Sequence, residues 1–369
     1  MKIALIGPAY PLRGGIAQYL ALLFRALEGR HEVRFYSFYR QYPGLLFPGR
    51  TQREEEQPAL RVPSQPALDS LNPLTWWATG RSVARFAPDA VVYKWWTPYF
   101  APVYHEVSRA ARRAGARVIY VCDNVSPHER GGLDALLTRW GLAELDGAVV
   151  MSEAVCRELL HARPGLPHRL VRHPLYSQFG EPGDPESARR ALDLPGDTLL
   201  FFGFVRAYKG LDVLLRALPQ VRRPVTLCVA GEFYEDRAPY DRLVAELGLA
   251  ARVRILDRFL GEAEVQQYFS ACDAVVLPYR SATQSGVIPL AYALECPVIT
   301  TRVGGLHEVV AEGGTGLLAP PDDPAALAAA IDAFYERGGR DAFRARIREY
   351  RGQFGWEPLV RAVEELARP

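Results

Sequence analysis

Short apolar runs alternate with longer amphipathic stretches from one end of this chain to the other. In the first half the runs are Ile3–Ile6, Val33–Tyr36, Ala90–Tyr93, Val118–Cys122 and Ala148–Met151. In the second half they are Leu199–Phe202, Thr226–Ala230, Val253–Leu256, Ala274–Leu277 and Val298–Thr301. Between most of them apolar residues recur at three- and four-residue spacing, as from Ile16 to Leu27. Near-continuous apolar strands alternating with helices predict parallel sheets covered on both faces. Two such blocks predict an α/β protein of two Rossmann-like domains. Gly, Pro and charged residues cluster from Gly180 to Asp184, which places the boundary there: residues 1–180 and 181–350. The Pro-rich stretch from Tyr42 to Pro66 is long for a routine connection and reads as a functional or mobile loop.

Composition narrows this picture without changing it. With 369 residues, 49% of them apolar, the chain can fill two cores. Charge is uneven: residues 1–180 hold 22 basic against 15 acidic residues, a net of +7, and the remainder 22 against 27, a net of −5. A basic first half fits an anionic partner. Five cysteines, none in a C-x-x-C pair, fit reduced structural thiols in a cytoplasmic protein. No apolar stretch approaches the roughly 20 residues of a membrane span.

Candidate chemistry gathers where strands of the second half give way to helices, the place where such sheets bind ligands. After Leu199–Phe202 comes Gly203-Phe204-Val205-Arg206-Ala207-Tyr208-Lys209-Gly210. Gly203 leaves room for a ligand, and Arg206 and Lys209 place two cations where a departing diphosphate develops charge. After Pro278 comes Ser281-Ala282-Thr283-Gln284-Ser285-Gly286-Val287. Its backbone N–H groups around Ser285, Gly286 and Val287 suit a diphosphate, and Thr283, Gln284 and Ser285 suit sugar hydroxyls. The third element is Val303-Gly304-Gly305-Leu306-His307-Glu308, with Glu308 a further candidate for the donor. Each of the three, taken alone, also reads as an ordinary turn or cap.

Taken together and in order, these elements resemble the retaining glycosyltransferases of family GT4. The resemblance rests on the G-x5-K-G start at Gly203 to Gly210, Ala230-Gly231-Glu232, Ala271-Cys272-Asp273 leading to Leu277-Pro278, and Pro297-Val298-Ile299-Thr300. It continues through Gly304-Gly305-x-x-Glu308-Val309-Val310, Gly314-x-Gly316-Leu317-Leu318 and Asp323-Pro324-x-x-Leu327. Gly14-Gly15 resembles the family's glycine loop over the donor phosphates. Trp356-Glu357 resembles the start of its last helix, at 356–369, which crosses back to the first domain. The resemblance implies a GT-B fold, two Rossmann-like domains facing across a cleft. It also implies a hexosyl transfer from a nucleotide-diphosphate sugar with retention, no metal and no cofactor beyond that donor.

Departures from the family pattern bear on the site. The family carries two glutamates about two helical turns apart around the second loop. Here the first falls at Ala282 or Thr283 and the second at Leu290 or Ala291, none of them acidic. Gln284 is the candidate to replace the first, and Glu295 lies too far along to replace the second. A bacterial branch of the family has a similar T-Q-S-G loop, so the departure marks a subgroup. Phe204 stands where the family has an arginine, which leaves that charge to Arg206. Lys94-Trp95-Trp96 replaces the histidine expected after Ala90–Tyr93, and His128 after the next strand is the alternative catalytic histidine.

The first half reads as the acceptor domain. Trp76-Trp77, Lys94-Trp95-Trp96 and Tyr99-Phe100, followed by Arg109, Arg112, Arg113 and Arg117, suit a glycan or lipid-linked acceptor and a peripheral contact with an anionic membrane. Paired tryptophans are as readily core. Without a recognised binding motif the charge does not indicate nucleic acid. Two other functions stay open: a non-catalytic GT-B module that binds a partner protein, and a GT-B UDP-sugar epimerase.

Overall fold

A computed structural model of the chain describes residues 1–44, 47, 49–54, 60–125, 132–194 and 196–368. Contacts divide it into two units, Met1–Pro174 with Gly355–Pro369, and Leu175–Phe354.

The first unit runs β1 (Lys2–Ile6), α1 (Gly15–Glu28), β2 (Glu32–Arg40), β3 (Gln65–Asp69), α2 (Pro73–Phe86), β4 (Ala90–Trp95), α3 (Ala101–Arg113), β5 (Arg117–Cys122), α4 (Asp134–Gly141), β6 (Gly147–Val150), α5 (Glu153–Ala162) and β7 (His168–Leu170). The strands form one sheet in the order β3-β2-β1-β4-β5-β6-β7, each neighbouring pair parallel. The inner strands β4, β5 and β6 are buried almost throughout, which is why they read as unbroken apolar runs. Side chains set the helix starts: Asn72 accepts the Leu74 N–H at 3.1 Å ahead of Pro73, and Ser152 accepts the Val155 N–H at 3.2 Å.

The second unit runs α6 (Pro185–Ala191), β8 (Thr198–Phe202), α7 (Leu211–Ala217), β9 (Thr226–Ala230), α8 (Ala238–Glu246), β10 (Val253–Leu256), α9 (Glu262–Ala271), β11 (Ala274–Leu277), α10 (Val287–Ala293), β12 (Val298–Thr301), α11 (Leu306–Val309), β13 (Gly316–Ala319), α12 (Pro324–Glu336) and α13 (Gly339–Tyr350). Its sheet is also parallel, ordered β10-β9-β8-β11-β12-β13. The chain then returns to the first unit as α14 (Glu357–Ala367). That helix packs on β5, β6 and α1. Polar contacts pin both its ends: Arg30 pairs with Glu357 at 2.6 Å, His31 with Glu364 at 2.9 Å, and Arg117 donates to the Leu366 carbonyl at 2.7 Å.

All ten expected strands are present, along with β3, β7 and β13, which the apolar pattern does not announce. The five cysteines are buried and unpaired. No helix among the described residues is long and apolar enough to cross a membrane.

Candidate active site

In the second unit β8 and β11 are neighbours whose chains depart in opposite directions, β8 toward β9 and β11 toward β12. Their carboxyl ends form the crevice where an open α/β sheet binds ligands. The first two candidate loops leave the sheet there, and the third leaves the carboxyl end of β12, the next strand over from β11.

The first loop turns Lys209 inward. Residues Ala207–Lys209 make one 3-10 turn, ended by Gly210 with φ of 68°. A side chain on Gly210 is excluded, because its Cβ would stand 2.1 Å from the Pro278 carbonyl oxygen. The turn thus rests against the end of β11 and buries the Lys209 side chain. A Cβ placed on Gly203 would lie 3.2 Å from Lys209 Nζ and 4.0 Å from Val287 Cγ2, so Gly203, Lys209 and Val287 meet. Burial, aided by the neighbouring Arg206, pulls the Lys209 pKa down to about 7. Arg206 is half-buried, its guanidinium 5.3 Å from the centre of the Tyr234 ring, on which Phe204 stacks at 4.2 Å.

The second loop is joined to the first by Tyr279. Its buried ring lies 5.6 Å from Lys209 Nζ, and its hydroxyl hydrogen-bonds the Ser285 side chain. Ser285 Oγ in turn accepts the Val287 N–H at 3.3 Å. Gln284 Oε1 is buried with no hydrogen-bond partner among the described residues, an acceptor turned away from water with its pairing unmet. The helix after this loop, α10, is only seven residues long.

The third loop locks onto the second. Gly305 donates its N–H to the Thr283 carbonyl at 3.1 Å. Gly304 has φ of 46°, and a Cβ there would fall 1.4 Å from the Ala282 carbonyl oxygen. Thr283 is held buried as a result. Glu308 sits half-buried in the four-residue α11, its N–H donated to the Gly305 carbonyl at 3.2 Å.

The fold therefore gathers Gly203, Lys209, Val287, Ser285 and, through Tyr279, the two loops that carry them. Tyr279 did not stand out in the sequence. Its signal was an aromatic residue directly after the Leu277-Pro278 strand end. Among the described residues no group of three or more His, Cys, Asp or Glu side chains could hold a metal ion.

In the first unit Gly14 caps α1 with open space where its Cβ would point, and Gly15 is exposed at the first helical position. His128 lies outside the described residues. The aromatic cluster divides in two. Trp95 and Phe100 are fully buried and Trp76, Trp96 and Tyr99 half-buried, whereas Trp77 is exposed. Lys94, read as part of a basic acceptor surface, is fully buried instead. Its ammonium lies 2.6 Å from Asp123 Oδ1 and 3.5 Å from the centre of the Tyr19 ring. The reason is register: β4 is an inner strand, so even its last residues lie between neighbours.

Residues 14–176 match the glycosyl transferase 4-like domain, and residues 196–337 match glycosyl transferases group 1. The two matches take in most of the chain. The chain belongs to the GT4-like glycosyltransferases. Among curated relatives of this glycosyltransferase, D-inositol 3-phosphate glycosyltransferase 1 of Catenulispora acidiphila is 32% identical over 231 residues, covering 59% of this chain and 53% of that protein. The Mycobacterium leprae D-inositol 3-phosphate glycosyltransferase is 32% identical over 230 residues, covering 60% and 54%. The chain thus spans about half the length of the curated relatives it matches. Among solved structures, sucrose-phosphate synthase from Thermosynechococcus elongatus superposes with a TM-score of 0.74 at 21% identity, covering 99% of this chain and 98% of that one. Anabaena HepE in complex with UDP superposes with 0.76 at 20% identity, covering 99% of each. At such identities the likeness establishes the fold, GT-B.

Leu290 and Ala291 stand where the family's second glutamate would fall. Both are buried against the core. Glu295 is committed elsewhere: buried, with a left-handed φ of 52°, it pairs with Arg344 at 2.7 Å, Arg348 at 2.8 Å and Arg351 at 3.5 Å. These contacts hold α13 against the end of α10 and leave Glu295 no part in the candidate site.

Proposed function

We propose that this glycosyltransferase moves a hexosyl group from a nucleotide-diphosphate sugar to a glycan or lipid-linked acceptor, with retention and without a metal ion. The observation that carries this reading is Lys209. A buried ammonium whose one charged influence among the described residues is another cation is an unfavourable arrangement until an anion arrives. A diphosphate seated by Gly203 and Val287 supplies that anion. As the bond between the sugar's anomeric carbon and the diphosphate oxygen breaks, its electron pair passes to that oxygen, and Lys209 and Arg206 stabilise the growing charge. Gln284, with its unmet carbonyl oxygen, pairs with a donor hydroxyl. Thr283, Ser285 and Glu308 complete the donor contacts.

The relatives' names point to an acceptor that bears a phosphate, and the net charge of +7 over residues 1–180 fits one. The test is a thermal-shift and turnover screen against a panel of nucleotide sugars. UDP-glucose comes first, because HepE was crystallised with it. Gln284→Ala is expected to bind the free diphosphate as the parent does while losing discrimination between donor sugars. If neither protein binds any nucleoside diphosphate, a non-catalytic partner-binding module becomes the better reading. Conversion of a UDP-sugar without acceptor would favour an epimerase.

A further inference from the structure

The turn that carries Lys209 into the candidate site is held from behind by a residue outside the three loop motifs. Arg280 follows Tyr279, just beyond the end of β11. Its backbone N–H donates to the Tyr208 carbonyl at 2.7 Å, and its Nη1 donates to the Ala207 carbonyl at the same distance. Two successive carbonyls of the turn 207–209 are thus bound by one residue. The rest of the guanidinium fork meets carboxylates. Nη1 and Nη2 donate to the two oxygens of Asp212, each at 2.8 Å, and Nε donates to Asp322 at 2.5 Å. Asp212 lies in the first turn of α7, and Asp322 stands just before α12. Glu235 completes the grip, accepting the Ala207 N–H at 2.8 Å and the Tyr240 hydroxyl.

Two features make this grip necessary. Packing does not close the turn on this side: Ala207 lines a cavity of about 550 Å³ together with Asp212, Glu235, Tyr240 and Arg280. The turn is also loaded. An ammonium buried beside a second cation, as Lys209 is beside Arg206, gains hydration by swinging out. A single 3-10 turn has few bonds of its own to resist that pull. The charge of Arg280 does not add to the load, because Asp212 and Asp322 offset it. Burial works to raise the Asp212 pKa, but hydrogen bonds and charge, those of Arg280 foremost, outweigh it and keep the carboxylate ionised.

We propose that Arg280 is a positioning residue for donor turnover: through the Ala207 and Tyr208 carbonyls and Asp212 it holds the turn in the conformation that keeps the Lys209 ammonium in the site. It acts through Lys209, so the inference rests on the reading of Lys209 as the cation that meets the diphosphate. The planar fork is what the task needs. Arg280→Lys keeps the charge but cannot hold a carbonyl and both oxygens of a carboxylate together.

The experiment reads the Lys209 pKa without turnover. The full chain is labelled with trace acetic anhydride from about pH 5 to about pH 11, and the extent at Lys209 is followed by mass spectrometry. The parent is expected to titrate at about 7. In Arg280→Gln and Arg280→Lys the ammonium is released toward water, so its pKa should rise by at least about one unit. Arg280→Lys separates position from charge, because the neighbouring cation is still there. In both variants kcat should fall on the order of tenfold, and the fall of kcat/KM with pH should move up with the Lys209 pKa. Arg280→Lys is the milder change and carries the test if Arg280→Gln does not fold. An unchanged Lys209 pKa in a folded variant overturns the proposal, whatever its turnover. So does a rise in Arg280→Gln with none in Arg280→Lys, which is the loss of a neighbouring charge alone. A rise with kcat unchanged would instead overturn the part of Lys209 in the reaction, and with it the part of Arg280 in turnover.

Discussion

The Tyr279 ring lies 5.6 Å from the Lys209 ammonium, and the hydroxyl of the same ring hydrogen-bonds Ser285. One buried side chain thereby couples the loop after β8 to the loop after β11. Tyr279→Phe keeps the ring under the ammonium and removes only the bond to Ser285. The expected result is a diphosphate affinity weakened by about tenfold, roughly the worth of one buried hydrogen bond, with kcat little changed. Isothermal titration against the free nucleoside diphosphate reads the affinity directly.

Lys209 should give the donor step a pH signature. Its pKa of about 7 in the empty site means that the cation is present below that pH and lost above it. kcat/KM, which reports the free enzyme, should therefore fall as pH rises through about 7. Lys209→Arg stays charged and should flatten that limb, while Lys209→Ala should lower kcat on the order of 100-fold. An anion seated on Lys209 raises its pKa again, so binding of the diphosphate at pH 8 should take up a proton. Titrations in buffers of different ionisation enthalpy measure that uptake. The sign for stability is the reverse of a paired lysine. The folded pKa lies below the unfolded value of 10.5, so the unfolded chain binds more protons between the two, and this site's contribution to stability rises with pH from about 7 to about 10.5.

Glu295 is expected to matter for folding and not for donor binding. Burial works to raise its pKa, but hydrogen bonds and charge from Arg348 and Arg344 outweigh it and hold the pKa below the usual carboxylate value. A carboxylate with a depressed folded pKa stabilises above its unfolded pKa and loses that contribution as pH falls through the folded one. Glu295→Gln should cost about 1–2 kcal/mol near neutral pH, because it takes the charge of a buried carboxylate away from arginines that are themselves partly exposed. Its loss of stability relative to the parent should shrink in acid. Urea denaturation at several pH values checks both, and an unchanged diphosphate affinity checks the absence of a site role.

Gly304→Ala tests the interlock of the second and third loops. The added methyl meets the Ala282 carbonyl, and the backbone is left-handed. The loop must move, at a cost of about 2–3 kcal/mol. Because Gly305 anchors Thr283, donor turnover should fall together with stability. Gly313→Ala, at another left-handed glycine whose added methyl would meet only the tip of the Arg337 side chain, is the comparison for backbone strain alone.

Much of the fold is legible in the order of apolar runs, because inner strands of a parallel sheet must be apolar on both faces. β3, β7 and β13 escaped that signal. β3 and β7 are edge strands with part of their length exposed, so Gln65-Pro66 and His168-Arg169-Leu170 need not be apolar. β13 is also an edge strand, but it is buried almost throughout; it opens on Gly316, which leaves an apolar run of only Leu317-Leu318-Ala319. The loops of the candidate site were legible as motifs, since turns beside a phosphate need glycine and small polar residues. Tyr279 was not, because nothing in a linear pattern tells a buried tyrosine that joins two loops from one that only fills the core.

The sequence by itself determined the class of the protein: two α/β blocks, a family, and which loops hold the candidate chemistry. These follow from local demands of strand burial and turn geometry, which each segment carries in its own residues. Only the tertiary structure decided what each charged or aromatic side chain does. Lys94 and Lys209 are both lysines near strand ends, yet one is neutralised by Asp123 and the other is buried beside a second cation. Trp95 is core and Trp77 is surface. The physical reason is that charge and exposure are set by neighbours that lie far apart along the chain and meet only once the strands are in register.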